Sequence, residues 1–356
     1  MKILLGKIGQ KIIFNRESKD CDRSNTNGNV GTYLLFKLLI ENNKDITFYV
    51  ASENDLGSFE TFESASYANV IDASGMEWYE LKKENIDVMI VLTGLTQYEK
   101  NDRFINIINK LRAEFMLLSD DPRCLDSVSE DERITRMPNL IISQFEGEYN
   151  FKGKMYHVFY EPIERASCYK FEPREGEKDF DMVIVSNTSG EKYNRVKIVS
   201  GLIDGMTGLS IYGRLSEDEK ESLGRGNCKG EIKYAEMQKI LSRSYSTLVV
   251  PIQKGWVTSK YVESLMNGVL PIFYKDYNTE LLEAEDLIVV RNSEEFSDVL
   301  ENLVKKDKKK VKELVAKWYK MLIEPYVSGQ KLSNILINYA CSAFRYAEGE
   351  LTTWKM

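Results

Sequence analysis

Val249–Lys275 reads VVPIQKGWVTSKYVESLMNGVLPIFYK, and this stretch decides the fold. Its pattern predicts a short buried strand at Leu248–Pro251, a polar loop, a helix over Ser259–Asn267 that ends at Gly268, and a second strand at Leu270–Tyr274. Two parallel strands joined by a helix form a β-α-β unit. Ligands of such sheets bind at the carboxyl ends of the strands, beside the helix N-terminus.

Two charged residues of this helix lie next to that end. Lys260, in the first helical turn, adds positive charge to the N–H groups and the positive end of the helix dipole, which favours phosphate. Glu263 follows one turn later on the same face and would accept hydrogen bonds from vicinal ribose hydroxyls. Together they predict a site for a nucleoside diphosphate.

Glu263, Gly268 and Pro271 (E-x4-G-x2-P), followed by an apolar strand, resemble the nucleotide-binding motif of GT-B glycosyltransferases, whose glutamate holds the ribose. Other segments resemble, in order, the phage DNA glucosyltransferases that act on hydroxymethylated pyrimidines, mostly the β-linking ones. These segments are MKILLGKIGQKIIFN (1–15), YLLFKLLIE (33–41), SDDPR (119–123), FYEPIE (159–164), IYGR (211–214) and GEIKYAEM (230–237). The spacing E-x4-G-x2-P-I-F-Y-K is at least as close to the α-linking enzymes.

The resemblance covers most of the chain in short pieces. It implies an α/β protein of the GT-B fold, with two Rossmann-like domains facing a central cleft. A length of 356 residues also suggests two domains of about 150 to 180 residues each. We expect the acceptor domain at 1–170, joined by C-terminal helices over about 331–356, and the nucleotide-sugar domain at 178–330. The polar, irregular stretch 164–179 is the predicted boundary.

Composition excludes several classes of protein. No run of about 18 apolar residues occurs, and MKILLGKIGQK carries charges too early for a signal peptide, so we expect a cytoplasmic protein without a membrane partner. Five scattered cysteines without CxxC spacing favour free thiols and argue against zinc. The single histidine, His157, is interpreted as structural because no G-x-S-x-G motif accompanies it. No G-x-G-x-x-G is present, so a nicotinamide cofactor is not expected.

Charge argues both for and against a DNA acceptor. The formal net charge of −7 is unusual for a protein that contacts phosphates. However, 229–260 holds six basic residues against two acidic ones, whereas 53–87 holds nine acidic against two basic. This uneven distribution of charge allows a basic cleft on an acidic body. A helix is predicted over about Ser293–Val304, and the run KKDKKK at Lys305–Lys310 that follows it is interpreted as a solvated helix end, with contact to DNA phosphate as the alternative.

In the first half, apolar runs predict strands at Lys2–Leu5, Ile46–Val50, Val88–Leu92, Leu140–Gln144 and His157–Pro162, with a helix over Thr32–Asn42. The loop 15–31 precedes that helix. The resemblance implies that its glycines, Gly28 and Gly31, approach the sugar or phosphate, and an ordinary linker loop is the alternative.

The next strand, within FMLLSDDPR, ends in two aspartates. Carboxylates at the carboxyl end of a parallel strand point into the ligand crevice. Asp121 is the predicted general base, with Asp120 as the fallback, because DPR matches the family's Asp-x-Arg. Its carboxylate would take the proton of the acceptor hydroxyl. Arg123 is placed with the acceptor or sugar. A plain turn after the strand is the alternative for Asp-Asp-Pro.

The second half opens with a predicted strand at Asp181–Val185 and a loop, SNTSGEKYNR, about two residues longer than in the resembling enzymes. That loop would bring cations to the diphosphate, or form a solvated surface. The resemblance places the following residues at the donor: Ser186, Ser189, Lys192, Arg195, Tyr212, Gly213 and Ile232, together with Lys260 and Glu263.

The predicted function is transfer of a sugar, glucose in the leading interpretation, from a UDP-sugar to the hydroxyl of a hydroxymethylated pyrimidine in double-stranded DNA. Cationic side chains would replace a divalent metal at the leaving diphosphate, no tightly bound cofactor is expected, and the protein is expected to be a monomer. The alternatives are a GT-B enzyme acting on a glycan, lipid or protein, and a catalytically silent nucleotide-binding protein. In a retaining enzyme Asp121 would not be required as a base.

Overall fold

The computed structural model describes residues 1–8, 29–51, 67–73, 75–94, 102–119, 121–168, 176–185, 195–232 and 234–347. The chain divides into two compact units. The first unit comprises Met1–Ser167 together with Gly329–Met356, and the second comprises Cys168–Ser328. Each unit is built on its own sheet.

The first sheet has eight strands: β1 (Lys2–Lys7), β2 (Thr47–Ala51), β3 (Val70–Asp72), β4 (Val88–Leu92), β5 (Glu114–Ser119), β6 (Leu140–Ser143), β7 (Gly147–Phe151) and β8 (Lys154–Tyr160). Their order is β3-β2-β1-β4-β5-β6-β8-β7. All neighbours pair in parallel except β7 and β8, which form an antiparallel hairpin at the edge.

The second sheet has six strands: β9 (Phe180–Val185), β10 (Ser210–Tyr212), β11 (Cys228–Gly230), β12 (Ser244–Val249), β13 (Leu270–Tyr274) and β14 (Val289–Val290). Their order is β11-β10-β9-β12-β13-β14, with every pair parallel. Counted from the first strand of each unit, both sheets follow the doubly wound order 3-2-1-4-5-6. The strand order therefore reverses between β1 and β4 in one sheet and between β9 and β12 in the other.

Among the described residues, the α-helices of the first unit before its C-terminal segment are α1 (Asn29–Asn42), α2 (Trp78–Lys83), α3 (Asp102–Lys110) and α4 (Pro122–Glu130). Those of the second are α5 (Arg195–Leu202), α6 (Glu217–Ser222), α7 (Tyr234–Ser242), α8 (Lys260–Met266), α9 (Ser293–Asp298) and α10 (Lys308–Leu322). The chain then returns to the first unit in α11 (Gln330–Ala347). Short 3-10 turns occupy Ile163–Ser167, Thr279–Leu282 and Glu324–Tyr326.

Burial explains why the central strands are apolar throughout. Every residue of β4 is buried, and so are all but the first residue of β1 and β5. Side chains of α3 and α4, such as Phe104 and Leu125, share one buried cluster with β4 and β5. On the sheet's other side α11 contacts β4 and β5 and also packs against α1. A parallel sheet covered on both faces requires such continuous apolar strands.

Three predicted elements differ from the structure. Helix α1 begins at Asn29, so Gly31 lies in its first turn rather than in a loop. The helix predicted from Ser293 changes at Val299 into a π-helix that continues to Lys305. The predicted strand at His157 belongs to the antiparallel hairpin, and its partner β7 was not predicted because GEYNF alternates polar and partly buried residues.

The close packing of α3 on β1 depends on Gly6. A Cβ atom at Gly6 would lie 2.0 Å from the Phe104 ring, which is 1% exposed. We predict that Gly6→Ala lowers the free energy of unfolding by about 1–3 kcal/mol, because a packed core cannot yield to an extra methyl group. Urea denaturation followed by circular dichroism measures the change. Gly75→Ala is the control, since a Cβ atom at Gly75 would have no neighbour within 4 Å; equal unfolding midpoints for the two variants would contradict the prediction.

Candidate active site

A cavity of about 120 Å³ opens where the strand order of the second sheet reverses. It lies at the carboxyl ends of β9 and β12 and beside the first turns of α5 and α8. Its walls are formed by Ile184, Val185, Arg195, Val199, Leu248, Val250, Ile252, Thr258, Ser259 and Lys260. Sheets with this strand order bind ligands at such a switch point. The cavity has apolar walls, two hydroxyl-bearing residues and two cations.

The loop before α8 is held by Tyr277. The Tyr277 hydroxyl accepts a hydrogen bond from the Thr258 backbone N–H and donates one to the Thr258 carbonyl, both at 2.9 Å. Gly255 turns the same loop with a φ of +81°, a conformation that L side chains rarely adopt. These contacts fix where α8 begins. At its other end Gly268 has a φ of +67°, which fits the predicted helix stop.

Lys260 and Glu263 form an ion pair at the N-terminal end of α8. The Lys260 ammonium lies 2.6 Å from Glu263 Oε2, and the two side chains are 24% and 8% exposed. The Lys260 ammonium also lies 3.7 Å from Met237 Sδ. Lys260 lines the cavity, and the carboxylate of Glu263 lies behind it, joined to it by this pair. Because α8 has only seven residues, the Lys260 charge matters more here than the helix dipole.

Arg195, the first residue of α5, lines the same cavity. The structure thus brings together two of the cations predicted to bind the diphosphate, Arg195 and Lys260. The loop residues Ser186, Ser189 and Lys192, predicted at the same place, lie outside the described residues.

Tyr212, Gly213 and Ile232 lie at the carboxyl ends of the neighbouring strands β10 and β11. The Gly213 N–H donates to the Gly230 carbonyl at 3.0 Å. Tyr212 and Ile232 pack against a buried cluster that includes Met237. Since Met237 also touches Lys260, these residues are continuous with the ion pair and form an apolar surface next to it.

Asp121, the predicted base, lies at the carboxyl end of β5 in the first unit. Its carboxylate caps α4 by accepting the Arg123 N–H at 2.8 Å. The Arg123 guanidinium adds two hydrogen bonds, from Nε to Oδ1 at 3.1 Å and from Nη2 to Oδ2 at 2.6 Å. Arg123 therefore holds Asp121 rather than pointing away from it. Asp120 and Gly28 lie outside the described residues, and nothing in the described contacts links Gly31 to these groups.

The same arrangement occurs a second time in the first unit. Asp131 accepts the Arg133 N–H at 3.0 Å, and the Arg133 guanidinium binds its carboxylate at 3.0 and 2.6 Å. We call this arrangement, in which one carboxylate binds the backbone N–H and the guanidinium of the arginine two residues later, the Asp-x-Arg clamp. It is a local structural motif, which agrees with the alternative interpretation of Asp-Asp-Pro as a plain turn. Location separates the two: Asp121 follows a central parallel strand, whereas Asp131 follows the end of a helix.

The basic run Lys305–Lys310 lies at the opposite edge of the second sheet from the cavity. The Lys308 ammonium pairs with Asp181, near the start of β9, and lies 4.0 Å from the centre of the Tyr245 ring, near the start of β12. Asp181 and Val185 are four residues apart, which is about 13 Å along a strand. Other lysines of the run pair with Glu301 and Glu313. The contacts favour a partly paired helix end over a phosphate surface beside the cavity.

Several residues near these groups were not predicted. Thr258 and Ser259 bring hydroxyls to the cavity, and Val250 and Ile252 supply apolar wall. A Thr-Ser pair before a helix is a sequence signal for a helix start, but only the fold shows that this start faces a cavity.

Within the described part of the chain, no group of three or more His, Cys, Asp or Glu side chains is arranged to hold a metal ion, and no helix is long and apolar enough to cross a bilayer.

No protein-family model matches the chain, and no curated protein matches its sequence. Solved structures do match it. The β-glucosyltransferase of phage T4 in complex with its UDP-glucose substrate is 16% identical, with a TM-score of 0.63 over 95% of this chain and 99% of that one. An α-glucosyltransferase in complex with UDP and a 13-mer DNA is 12% identical, with a TM-score of 0.56 over 94% and 100%.

A third match, the O-GlcNAc transferase of Thermobaculum terrenum, is 11% identical, with a TM-score of 0.59 over 97% of this chain and 68% of that one. At these identities the likeness establishes the fold. The chain has the GT-B fold of these glycosyltransferases, which confirms the predicted fold class.

The ion pair at α8 makes a testable prediction about stability. Lys260→Met leaves the buried Glu263 carboxylate without its ammonium partner, whereas Lys260→Met/Glu263→Gln removes both charges. We predict a coupling free energy of about 0.5–3 kcal/mol between the two residues, so the double variant is more stable than the sum of the single changes implies. Urea unfolding of the wild-type protein, the two single variants Lys260→Met and Glu263→Gln, and the double variant measures the coupling. Strictly additive changes would contradict it.

Proposed function

We propose that the protein is a glycosyltransferase that moves glucose from UDP-glucose to the hydroxyl of a hydroxymethylated pyrimidine in double-stranded DNA. The observation that carries the proposal is the cavity at the switch point of the second sheet, lined by Arg195 and Lys260 with Glu263 behind them. A site of this composition suits a nucleoside diphosphate. The GT-B fold, in which both matched glucosyltransferases were solved with UDP or UDP-glucose, supports the same donor.

Arg195 and Lys260 would bind the diphosphate of the donor. As the bond between the anomeric carbon and the diphosphate oxygen breaks, negative charge accumulates on UDP, and these two cations would stabilise that charge without a metal ion. When Lys260 turns to the phosphate, the Glu263 carboxylate is released to accept the ribose hydroxyls. Thr258 and Ser259 add hydroxyl donors at the same wall. The apolar surface of Tyr212 and Ile232 is suited to the base.

Asp121 is the proposed general base. Its carboxylate has about four acceptor positions, and the described contacts with Arg123 use three of them. The remaining position would accept the proton of the hydroxymethyl group while its oxygen attacks the anomeric carbon. Direct displacement of this kind inverts the anomeric configuration. The protein would act on the α-linked donor and form a β-linked product.

DNA is the proposed acceptor because the segments quoted above resemble DNA glucosyltransferases in order, and because the matched α-glucosyltransferase was solved with a 13-mer DNA. The second candidate is the same donor chemistry on a glycan, lipid or protein acceptor. The net charge of −7 and the pairing of the basic run at the far edge of the sheet favour that candidate.

The deciding experiment incubates the protein with UDP-glucose and duplex DNA that contains cytosine, hydroxymethylcytosine or hydroxymethyluracil. The DNA is then digested to nucleosides for mass spectrometry. We expect a hexose mass increase on one hydroxymethylated nucleoside and none on cytosine, and the proton coupling constant of the anomeric position should show a β-linkage. UDP binding without transfer to any of these DNAs would assign the acceptor to the second candidate, whereas absence of UDP binding would overturn the donor site itself.

Removing the cation of α8 should weaken donor binding. We predict that Lys260→Met raises the dissociation constant of UDP about 10- to 100-fold, because a charge-assisted contact to phosphate contributes about 1.4–2.8 kcal/mol. Isothermal titration calorimetry with UDP measures this. Lys254→Met is the matched control, since Lys254 is an exposed lysine of the same segment that does not line the cavity. A Lys260→Met protein that binds UDP as tightly as the control would refute the assignment.

Asp121→Asn tests the base with little structural change, because asparagine also caps helices. We predict a turnover number about 10²- to 10⁴-fold lower, with the affinity for UDP unchanged. Asp131→Asn makes the same change in the second Asp-x-Arg clamp and should leave the turnover number at the wild-type value. If both variants keep their turnover, the base lies elsewhere.

A further inference from the structure

Three buried hydroxyls follow one another across the carboxyl edge of the first sheet. Thr93, Ser119 and Ser143 lie at the ends of β4, β5 and β6 and are 1%, 0% and 0% exposed. Ser119 and Ser143 are register partners, and the Thr93 N–H donates to the Leu118 carbonyl at 2.8 Å. The three strands are otherwise apolar here, so hydroxyls at the same level of neighbouring strands require a reason.

The hydrogen bonds of two of these hydroxyls run in one direction. Thr93 Oγ1 donates to Ser119 Oγ at 3.1 Å, and Ser119 Oγ donates to the Asp121 carbonyl at 3.0 Å. Because Ser119 uses its single proton on Asp121, the order of donors is fixed from β4 to Asp121. Hydrogen bonds in such a chain strengthen one another in a water-excluded environment.

The chain of hydroxyls ends at the joint between β5 and α4. The Asp121 carbonyl also accepts the Cys124 and Leu125 N–H groups at 3.0 and 3.2 Å, which begin the helix. Asp121 is therefore held twice: from inside the sheet through its carbonyl, and from outside through its carboxylate by Arg123. Its backbone is extended, with φ −146° and ψ 125°, and these two contacts together fix the direction of the carboxylate.

We infer that Thr93 and Ser119 form a relay of hydroxyls that positions Asp121 for proton abstraction, so that both are positioning residues of the reaction. This inference rests on the proposed function. Neither residue touches the substrates in this scheme; Thr93 acts through Ser119, and Ser119 acts through Asp121. Ser143 does not belong to the relay, because its hydroxyl donates to the Ser119 carbonyl at 3.0 Å and not to either relay hydroxyl.

The relay predicts a specific pattern in turnover. Ser119→Ala should lower kcat about 10- to 100-fold, since misplacement of a catalytic group by about 1 Å has an effect of this size. Thr93→Val, which keeps the shape of threonine and removes the hydroxyl, should lower kcat in the same direction. Thr93→Ser, which restores the hydroxyl, should recover most of the loss. The dissociation constant of UDP should stay at the wild-type value in all three, because the donor residues lie in the other unit.

Ser143→Ala is the matched control, because it also removes a fully buried hydroxyl from the same edge. It should lower the urea midpoint about as much as Ser119→Ala does and leave kcat near the wild-type value. Two double variants complete the test. Thr93→Val/Ser119→Ala should be no slower than Ser119→Ala, and Ser119→Ala/Asp121→Asn no slower than Asp121→Asn, because residues that act in series are not additive.

Each outcome of these measurements is decisive. Equal kcat values for Ser119→Ala and Ser143→Ala, or a Ser119→Ala effect that persists in full on the Asp121→Asn background, would overturn the relay while leaving the proposed function intact. A wild-type protein that transfers no sugar to any acceptor tested would overturn the proposed function and the relay with it.

Discussion

Parallel strand pairing around a central first strand is the constraint on which the rest of the structure depends. In both sheets the chain winds outward from that strand in one direction and then resumes on its other side. Open sheets of this strand order bind ligands at the carboxyl edge, between the first and fourth strands. In the second sheet the cavity lies there, between β9 and β12. Both faces of the central strands are needed for packing, so polar chemistry is confined to the strand ends.

The Lys260–Glu263 pair shows how that confinement is used. A carboxylate that is 8% exposed is unfavourable in isolation, and the ammonium at 2.6 Å compensates it when no ligand is bound. In the proposed function a nucleotide replaces this one contact by two, with phosphate on Lys260 and ribose hydroxyls on Glu263. Phosphate alone would bind Lys260 and remove its ammonium from Glu263. In the proposed function the pair would favour a nucleotide over a free anion, because only the nucleotide offers groups to both residues.

Local patterns predicted those parts of the fold that local sequence determines. The apolar run Val88–Leu92 coincides with β4, and Gly268 adopts the left-handed conformation expected of a helix stop. The edge strand β7 was missed because an antiparallel edge is only half buried, so its pattern is weak. The π-helix after Val299 leaves no sequence signal that distinguishes it from an α-helix.

The sites divide in the same way. Lys260 and Glu263 were found from sequence because one helical turn brings them together. The cavity walls join residues more than 60 positions apart, such as Ile184 and Leu248, and such groups become neighbours only through strand order.

The acidic net charge of the chain, −7, bears on how it would bind DNA. Affinity for duplex DNA rests largely on phosphate contacts, and each one adds to the salt dependence of binding. Here the Lys308 ammonium pairs with Asp181, near the start of β9, and the Lys305 ammonium pairs with Glu301. An enzyme with few phosphate contacts must obtain its selectivity from the reacting group itself. A hydroxymethyl group supplies such selectivity, because an unmodified cytosine offers Asp121 no hydroxyl proton and the donor no nucleophile. On this physical basis the acidic charge and a DNA acceptor are compatible: binding would be weak and salt-sensitive only to a small degree, and discrimination would occur in the chemical step.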